Sequence, residues 1–223
     1  MAGYLDLENW SRRELFEFFI PYTDPYFNVC TNVDVTDLVA LVREKPNVRF
    51  SAAIHYFALR IANGVEPFRY RLKDEKVYVY DVVSGGTTVL RPNETFAYAY
   101  FDYQSDFEEF VSGMTKAVDE IRTGSGHLKP TMREDVIYHT TLPWFSFTSF
   151  AHARTKGRGD SIPRIVFGKY FEEHKRLMLP ISVEVHHALM DGIHVGKFFS
   201  GLEAALANPK DFITRPSPVA IPA

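Results

Sequence analysis

The segment at 179–194, with the sequence LPISVEVHHALMDGIH, limits the possible folds more than any other part of the chain. Apolar and polar residues alternate over 181–185, which predicts a half-buried β-strand. This strand leads directly into His186 and His187, and Asp191 follows four residues after the second histidine, just before a helix-like run. Two imidazoles and a carboxylate in apolar surroundings indicate either a functional site or a pair of satisfied core histidines beside an Asp-Gly turn.

The rest of the 223-residue chain switches irregularly between helical and strand periodicity, and its length fits a single domain. A capping box of Ser11 and Glu14 is predicted to begin the first helix. Helices are predicted at 12–20, 37–44, 51–63, 106–122 and 193–207. Strands are predicted at 4–7, 27–35, 68–72, 77–80, 88–90, 95–101, 135–142, 144–150, 164–170 and 176–185. We therefore predict one mixed α/β domain over 1–207 and a proline-rich tail at 208–223 that is frayed or draped on the surface.

The composition excludes several classes of protein. A formal net charge of −3 gives no indication of binding to nucleic acid or to an anionic membrane. Cys30 is the only cysteine, so an internal disulfide is impossible, which favours a reducing compartment. The N-terminus lacks the basic and apolar segments of a signal peptide, and no run approaches 18 apolar residues. We therefore expect a soluble, cytoplasmic protein whose 15% aromatic residues fill a core or line a ligand pocket.

Three separated segments, HHALMDGIHV at 186–195, LPWFSFTSF at 142–150 and NWSRRELFEFF at 9–19, together resemble one family, the trimeric chloramphenicol acetyltransferases. HHALMDGIHV at 186–195 resembles the family signature HHxxxDGxHV. LPWFSFTSF at 142–150 resembles the family's serine segment, PWxxFxSF, and NWSRRELFEFF at 9–19 resembles its N-terminal helix. The resemblance implies a two-layer fold of the coenzyme A-dependent acyltransferase type, with helices packed on a mainly antiparallel or mixed sheet. It also implies transfer of an acetyl group from acetyl-CoA, without a metal, to a hydroxyl of chloramphenicol.

The resemblance implies four catalytic residues. His187 would be the general base that takes the proton of the acceptor hydroxyl directly, because an imidazole exchanges protons near neutral pH. Asp191 would pair with Arg12 and hold the loop that carries His187, rather than complete a Ser-His-Asp triad. Ser149 would donate a hydrogen bond to the oxyanion of the tetrahedral intermediate. His186 would be structural.

The resemblance also implies residues that bind the two substrates. Phe27 and Phe96 take the places of aromatic walls around the acceptor, although each fits a plain core position equally well. Lys169 and Tyr170 match the family's segment near coenzyme A, where a cation suits the phosphates. In the family, the active site lies between the subunits of a trimer, so a homotrimer is expected here.

Two positions in the acceptor site depart from the family pattern. Phe19 occupies the place of a tyrosine whose hydroxyl would touch the acceptor, and Val166 replaces a threonine that holds a water molecule. Neither residue has the hydroxyl. The pattern therefore supports acetyl transfer better than it supports chloramphenicol as the acceptor.

Three alternatives stay open. The chain could be an acyltransferase of the same fold with another acceptor, such as the core of a dihydrolipoamide acyltransferase. It could be a non-catalytic oligomeric binding protein. His186, His187, Asp191 and His194 could instead form a metal cluster, but adjacent ring nitrogens rarely both reach one tetrahedral ion, and no HExxH motif supplies further ligands.

His55, inside a predicted helix among apolar neighbours, is interpreted as a packed core residue.

Overall fold

The computed structural model describes residues 2–124, 133–154 and 160–214. Its helices are α1 (Arg13–Phe19), α2 (Thr36–Glu44), α3 (Phe50–Gly64), α4 (Phe107–Thr123), α5 (Gly192–Ala207) and α6 (Pro209–Thr214), with a 3-10 turn at Glu66–Arg69. Its strands are β1 (Gly3–Tyr4), β2 (Tyr26–Asp34), β3 (Tyr70–Lys73), β4 (Lys76–Val79), β5 (Ser84–Leu90), β6 (Phe96–Phe101), β7 (Val136–Thr141), β8 (Arg164–Phe167), β9 (Phe171–Glu173) and β10 (Arg176–His186).

The strands form two sheets. The larger sheet has the order β2-β10-β8-β7-β5-β6, and β9 pairs with the first residues of β10. Strand β7 runs parallel to β5 and β8, whereas the other neighbours are antiparallel. The smaller sheet has the order β1-β4-β3. Helices α2 to α5 pack on the larger sheet, so the predicted two-layer mixed α/β fold is confirmed.

Helix α3 lies at the centre of the core and is buried continuously from Ala52 to Ala62. The apolar residues of α3 and of the amphipathic stripe of α4 cover the larger sheet. The apolar side chains of both layers are thereby buried away from water. His55 lies within this buried stretch and is 1% exposed. The prediction that His55 is a packed core residue is therefore confirmed.

Strand β10 is buried on both faces, so the prediction that it is half-buried is wrong. Ser182 is fully buried and Glu184 is 6% exposed. Polar partners from distant segments make this possible: the Asn28 amide donates to Ser182 Oγ (2.7 Å), and Arg154 Nε donates to Glu184 Oε1 (2.5 Å). A buried polar group is tolerated when such a partner is present.

Several local predictions also need correction. Segment 144–150 is not a strand, because only isolated backbone bonds join it to its neighbours rather than a ladder. Strand β8 ends at Phe167, before the predicted 170, and Phe68 lies in the 3-10 turn instead of a strand. The first helix begins after Arg12 without a side-chain cap, so Ser11 does not form the predicted capping box.

The C-terminal segment, predicted to be frayed or draped on the surface, is not frayed over its described part. Residues 209–214 form α6, and the Phe212 ring packs 4.5 Å from the Phe57 ring. The Arg60 guanidinium carbon lies 4.3 Å from the centre of the Phe212 ring, and Arg60 Nη1 donates to the carbonyl of Phe212. This cation–π contact and hydrogen bond attach α6 to α3. The rest of the tail lies outside the described residues.

Within the described ranges, no helix has the length and apolar character needed to cross a membrane.

Candidate active site

The turn between β10 and α5 carries the histidine pair. The His187 backbone N–H donates to the carbonyl of Pro25 (2.7 Å), and the Leu189 N–H donates to the carbonyl of His186 (3.0 Å). At the start of α5, His194 Nδ1 accepts a hydrogen bond from the Asp191 N–H (2.9 Å). His187 is therefore presented by a turn whose backbone is fixed on both sides, and His194 forms hydrogen bonds within that turn.

Arg12 and Asp191 form the ion pair beneath this turn. Arg12 Nη1 donates to Asp191 Oδ2, and Arg12 Nη2 donates to the carbonyl of His187 (3.3 Å). The Arg12 side chain is only 11% exposed. One guanidinium therefore anchors both the carboxylate and the backbone of the histidine, as the fork geometry of arginine allows.

Asp191 is not oriented as the acid of a Ser-His-Asp triad. Its Oδ1 lies 3.3 Å from His187 Nδ1, within ion-pair distance, but Nδ1 is buried without a hydrogen-bond partner among the described residues. The Asp191 carboxylate instead accepts a hydrogen bond from Arg12. The structure thus brings together three of the predicted residues, with the carboxylate bound to arginine.

Two predicted acceptor residues, Phe19 and Phe27, pack on the His187 ring. The Phe19 ring stacks on the imidazole with centroids 3.9 Å apart and planes inclined by 10°. The Phe27 ring lies 4.7 Å away, inclined by 52°. The His187 side chain remains 33% exposed. The imidazole is therefore stacked on one face by Phe19 and contacted by Phe27, while part of the side chain stays exposed.

His186 has a structural environment. It is 4% exposed, its Nδ1 accepts a hydrogen bond from the Ala188 N–H (3.3 Å), and its ring meets the Tyr26 ring edge-on at 5.2 Å. Burial, helped by the positive charge of Arg154, lowers the pKa of His186 to about 4. His186 is therefore neutral at physiological pH, and it is enclosed where His187 is open.

Ser149 lies on the irregular segment 142–150 and is exposed. Three bonds attach this segment to the end of β8: the Leu142 N–H donates to the Phe167 carbonyl (2.8 Å), the Lys169 N–H donates to the Phe145 carbonyl (2.9 Å), and Ser146 Oγ donates to the Lys169 carbonyl (2.7 Å). These bonds hold the serine segment against the segment of the same chain that carries the predicted coenzyme A residues.

Gly168 permits the close packing of the same two segments. A Cβ atom at this position would lie 2.7 Å from Pro180 Cγ and 3.0 Å from Phe147 Cε1. Lys169 and Tyr170 follow directly and are exposed, with the Tyr170 ring 5.4 Å from the Phe50 ring. The two predicted coenzyme A residues are therefore accessible at the surface.

A large cavity of about 870 Å³ opens beside β6 and β7. Aromatic side chains provide much of its lining, including the predicted acceptor residue Phe96 with Tyr98, Tyr138 and Trp144. His187 does not line this cavity, and Val166 is fully buried in the sheet and does not line it either. Within one chain, His187 therefore lies outside the large cavity.

A cluster of buried charges next to this cavity was missed by sequence reasoning. The Glu184 carboxylate and the Arg154 guanidinium pair within it, and Asp160 binds both Arg154 Nη1 (3.1 Å) and Arg164 Nη2 (2.5 Å). The only signal in the sequence was Glu184, a carboxylate in an otherwise apolar strand next to the histidine pair. Its partners are at least 20 residues away along the chain, so the pattern could not identify them.

Metal ligation was one of the alternative interpretations. Among the residues that the structure describes, no group of three or more His, Cys, Asp or Glu side chains is placed to hold a metal ion.

The two-layer fold, with a histidine at the end of a central strand, is that of the coenzyme A-dependent acyltransferases. A solved chloramphenicol acetyltransferase superposes with a TM-score of 0.85 at 27% identity, covering 92% of this chain and 100% of that one. A dihydrolipoamide acetyltransferase from Azotobacter vinelandii superposes with a TM-score of 0.65 at 15% identity, which shows a shared fold alone.

The chain belongs to the chloramphenicol acetyltransferase family, whose model matches residues 2–203. It is therefore an acetyltransferase. A chloramphenicol acetyltransferase of Escherichia coli is 28% identical over 206 residues, covering 91% of this chain and 94% of that enzyme. Chloramphenicol acetyltransferase 3 of Escherichia coli is 30% identical over 207 residues, covering 92% and 96%.

Asp191→Asn tests the anchor beneath the histidine turn. We expect the free energy of unfolding to fall by about 2 kcal/mol, because the largely buried Arg12 guanidinium loses its counter-charge. Arg13→Gln is the matched control, since Arg13 pairs with Glu8 and Glu17 at exposed positions and should change stability little. Urea unfolding measures both. Equal effects of the two substitutions would contradict an anchoring role for Asp191.

Proposed function

We propose that this protein is an acetyl-CoA-dependent O-acetyltransferase that acetylates a hydroxyl of chloramphenicol by direct general-base catalysis. The observation that carries this proposal is the environment of His187. Its ring is fixed by Phe19 and by the turn that Arg12 and Asp191 hold, yet a third of the side chain is exposed. A fixed, accessible imidazole is suited to accept a proton from a bound hydroxyl.

The reaction then proceeds in a ternary complex. His187 takes the hydroxyl proton as the oxygen attacks the thioester carbonyl, which forms a tetrahedral oxyanion. Ser149 donates a hydrogen bond to that oxyanion. Collapse of the intermediate breaks the carbon–sulfur bond, and the thiolate of coenzyme A receives the proton from the His187 imidazolium. No acyl-enzyme forms, and the base returns to its neutral state.

We further propose that the sites form between the subunits of a homotrimer. Among the described residues, the ring contacts and ion pair of His187 involve Phe19, Phe27 and Asp191, and neither Ser149 nor Phe96 takes part. The large cavity also lacks His187. A second chain that supplies Ser149 and the cavity would complete the site.

A cytoplasmic location, expected from the single cysteine, belongs to the same proposal.

The residues predicted to contact the acceptor differ from the family pattern, and this supports a preference for an acceptor other than chloramphenicol. Phe19 and Val166 bring no hydroxyl to the site, and the charged pair Asp160–Arg164 lines the large cavity. These features favour, as a second candidate, an acyltransferase of the same fold with another hydroxyl acceptor. Turnover of chloramphenicol is expected to be slower than turnover of that acceptor.

The test is thiol release from acetyl-CoA, measured with and without chloramphenicol and with a panel of other hydroxyl compounds. Release that depends on chloramphenicol supports the full proposal. Release with other compounds alone keeps the reaction and replaces the acceptor. Binding of acceptors without any release would leave a non-catalytic binding protein.

Ser149→Ala tests both the oxyanion role and the subunit arrangement. We expect kcat to fall by about 10²–10³-fold, because one donor to the oxyanion is lost. Mixed oligomers of Ser149→Ala and His187→Ala chains should regain activity, since a site can then combine an intact His187 from one chain with an intact Ser149 from the other. Mixtures as inactive as the parent variants would exclude a site shared between chains.

A further inference from the structure

The large cavity has an exposed rim and an enclosed end. Phe96 and Trp144 line the rim and are 43% and 58% exposed. Tyr138 and Arg164 line the other end, where they face each other in the pairing of β7 with β8, and the Arg164 side chain is only 14% exposed. In the proposed site, His187 of another chain approaches from the exposed rim. The part of the acceptor farthest from its reacting hydroxyl therefore lies at the enclosed end.

Asp160 is the carboxylate at the enclosed end of this cavity. It lines the cavity, and its side chain is 26% exposed. Both of its contacts with arginine use the same carboxylate oxygen: Arg164 Nη2 donates to Oδ2 (2.5 Å), and Arg154 Nη1 lies 3.1 Å from Oδ2. The Tyr26 hydroxyl donates to the backbone carbonyl of Asp160 (2.6 Å). The side chain and the backbone of Asp160 are therefore both fixed.

The second carboxylate oxygen of Asp160 is left open. Oδ1 accepts no hydrogen bond from the residues that the structure describes, and it is accessible rather than buried. An ionised carboxylate offers lone pairs on both oxygens and has no donor of its own. A ligand in the cavity that presents an N–H or O–H group can therefore donate to Oδ1, and the fixed position of Oδ2 sets the direction of that bond.

The charges around Asp160 decide which kind of donor fits. Arg164 neutralises Asp160, and Arg154 neutralises Glu184. His152 adds no positive charge at neutral pH, since burial above all lowers its pKa to about 4. A cationic ligand would therefore leave an excess charge inside the cavity, which is unfavourable. An uncharged hydroxyl, amide or aromatic amine forms a charge-assisted hydrogen bond instead.

Aromatic walls next to Asp160 favour a ring as the apolar part of the ligand. Tyr98, Tyr138 and Phe150 line the same cavity. Burial above all, with a contribution from the charge of Asp160, raises the pKa of Tyr138 to about 12, so the carboxylate acts at short range on this wall. A ring that packs against Tyr138 can therefore present a substituent to Asp160.

We propose that Asp160 accepts a hydrogen bond from an uncharged N–H or O–H group of the acceptor, at the end of the molecule remote from the reacting hydroxyl. The inference rests on the proposed acetyl transfer and on the site shared between chains. It names the substrate class as aromatic alcohols whose ring carries a hydrogen-bond donor. Asp160 thus determines specificity and takes no part in the chemistry.

The test compares two acceptors that differ in one ring substituent: chloramphenicol and its analogue in which an amino group replaces the nitro group. The nitro group only accepts hydrogen bonds, whereas the amino group donates. In Asp160→Asn, the arginine donors hold the amide oxygen, so the amide nitrogen takes the place of Oδ1 and presents a donor instead of an acceptor. Asp119→Asn is the matched control, because Asp119 also pairs with two arginines, Arg49 and Arg122, at an exposed position.

The measured quantity is the Kd for chloramphenicol divided by the Kd for the amino analogue. We expect Asp160→Asn to lower this ratio about tenfold or more, as for loss of a hydrogen bond to a charged group, and Asp119→Asn to leave it unchanged. The ratio cancels any general weakening of the site. A ratio unchanged in Asp160→Asn would overturn the inference, even if Tm fell, since a purely structural role changes the binding of both acceptors alike.

A second variant covers the case in which Asp160→Asn alone does not fold. Asp160→Asn leaves one excess positive charge on the two arginines, and the double variant with Arg164→Gln removes it. Arg154 Nη1 still faces the amide oxygen in the double variant, so the same fall in the ratio is expected. A wild-type ratio in this folded double variant would overturn the inference.

Calorimetry without acetyl-CoA separates this inference from the proposed function. If the wild type binds both acceptors with a ratio that depends on Asp160, but releases no thiol, the contact stands and acetyl transfer to these acceptors is excluded. If thiol is released and the ratio is independent of Asp160, the reaction stands and the contact is excluded. If the wild type neither binds nor acetylates either acceptor, both fail.

Discussion

His187→Ala is expected to reduce thiol release in the presence of an acceptor by about 10²–10⁴-fold, the usual contribution of a general base. The substitution removes the proton acceptor, while the contacts of Arg12 with Asp191 and with the backbone carbonyl at position 187 do not depend on the imidazole. We therefore expect a large fall in kcat with little change in the KM for acetyl-CoA. Thiol release under saturating acetyl-CoA measures the effect.

The structure supplies a matched control for this variant. His174 is an exposed histidine in the turn between β9 and β10, where its backbone φ of 48° suits asparagine. His174→Asn should retain wild-type turnover. Added imidazole should restore part of the activity of His187→Ala. The missing group is a base, and the space that its side chain leaves is open to solvent. A fully active His187→Ala enzyme would exclude the proposed mechanism.

The second large effect is a loss of stability in acid, to which two histidines inside the core contribute. The rings of His55 and His139 lie 4.8 Å apart, and each residue is 1% exposed. His55 Nδ1 donates to the Ser51 carbonyl (2.5 Å), whereas His55 Nε2 and both ring nitrogens of His139 have no hydrogen-bond partner in the described ranges. A proton on either ring would create a charge in an apolar interior.

Burial accordingly lowers the pKa of His55 from 6.5 to about 4, and it lowers the pKa of His139 well below 6.5, with a further contribution from His55. Above pH 6.5 both states of the chain hold these imidazoles neutral, so no stability is lost. As the pH falls from 6.5 towards 4, the unfolded chain binds protons that the folded chain excludes. His55 alone then lowers the free energy of unfolding by about 3 kcal/mol at pH 4.

We therefore expect a steep decrease in the free energy of unfolding between pH 6.5 and 4.5. Denaturant unfolding at several pH values measures it for the wild type and for a variant with both His55→Leu and His139→Leu. The slope against pH should be clearly smaller in the double variant, while His174→Asn keeps the wild-type slope because that side chain is exposed. Identical slopes for all three proteins would show that the core pair does not control acid stability.

Local sequence patterns were reliable where an element's own side chains decide its structure. The stripe of apolar residues in α4 predicted both the helix and its buried face, and Asp106 caps it by accepting a hydrogen bond from the Glu109 N–H. The alternation before His187 likewise predicted a strand that ends at the histidine pair. The same pattern could not show that both faces of β10 are buried.

The proposed catalytic residues could not be found from local patterns alone. The segments that carry Arg12, Ser149 and His187 were found through their resemblance to one family, and the structure then joined Arg12 to Asp191 across 179 positions of sequence. The segment of Ser149 alternates like a strand, yet it is irregular because it packs on Gly168 and bonds to the end of β8. Tertiary contacts outweighed its local preference.

The sequence by itself therefore determined the fold class and the histidine turn, since these depend on periodicity and on a recognisable motif, whereas Arg12 was named as the anchor only through the resemblance to one family. Only the tertiary structure decided which polar groups are buried together. Glu184 and Arg154 come from separate segments, and each is tolerated in the interior because the other neutralises it. Such partners are chosen by position in space, which no local pattern records.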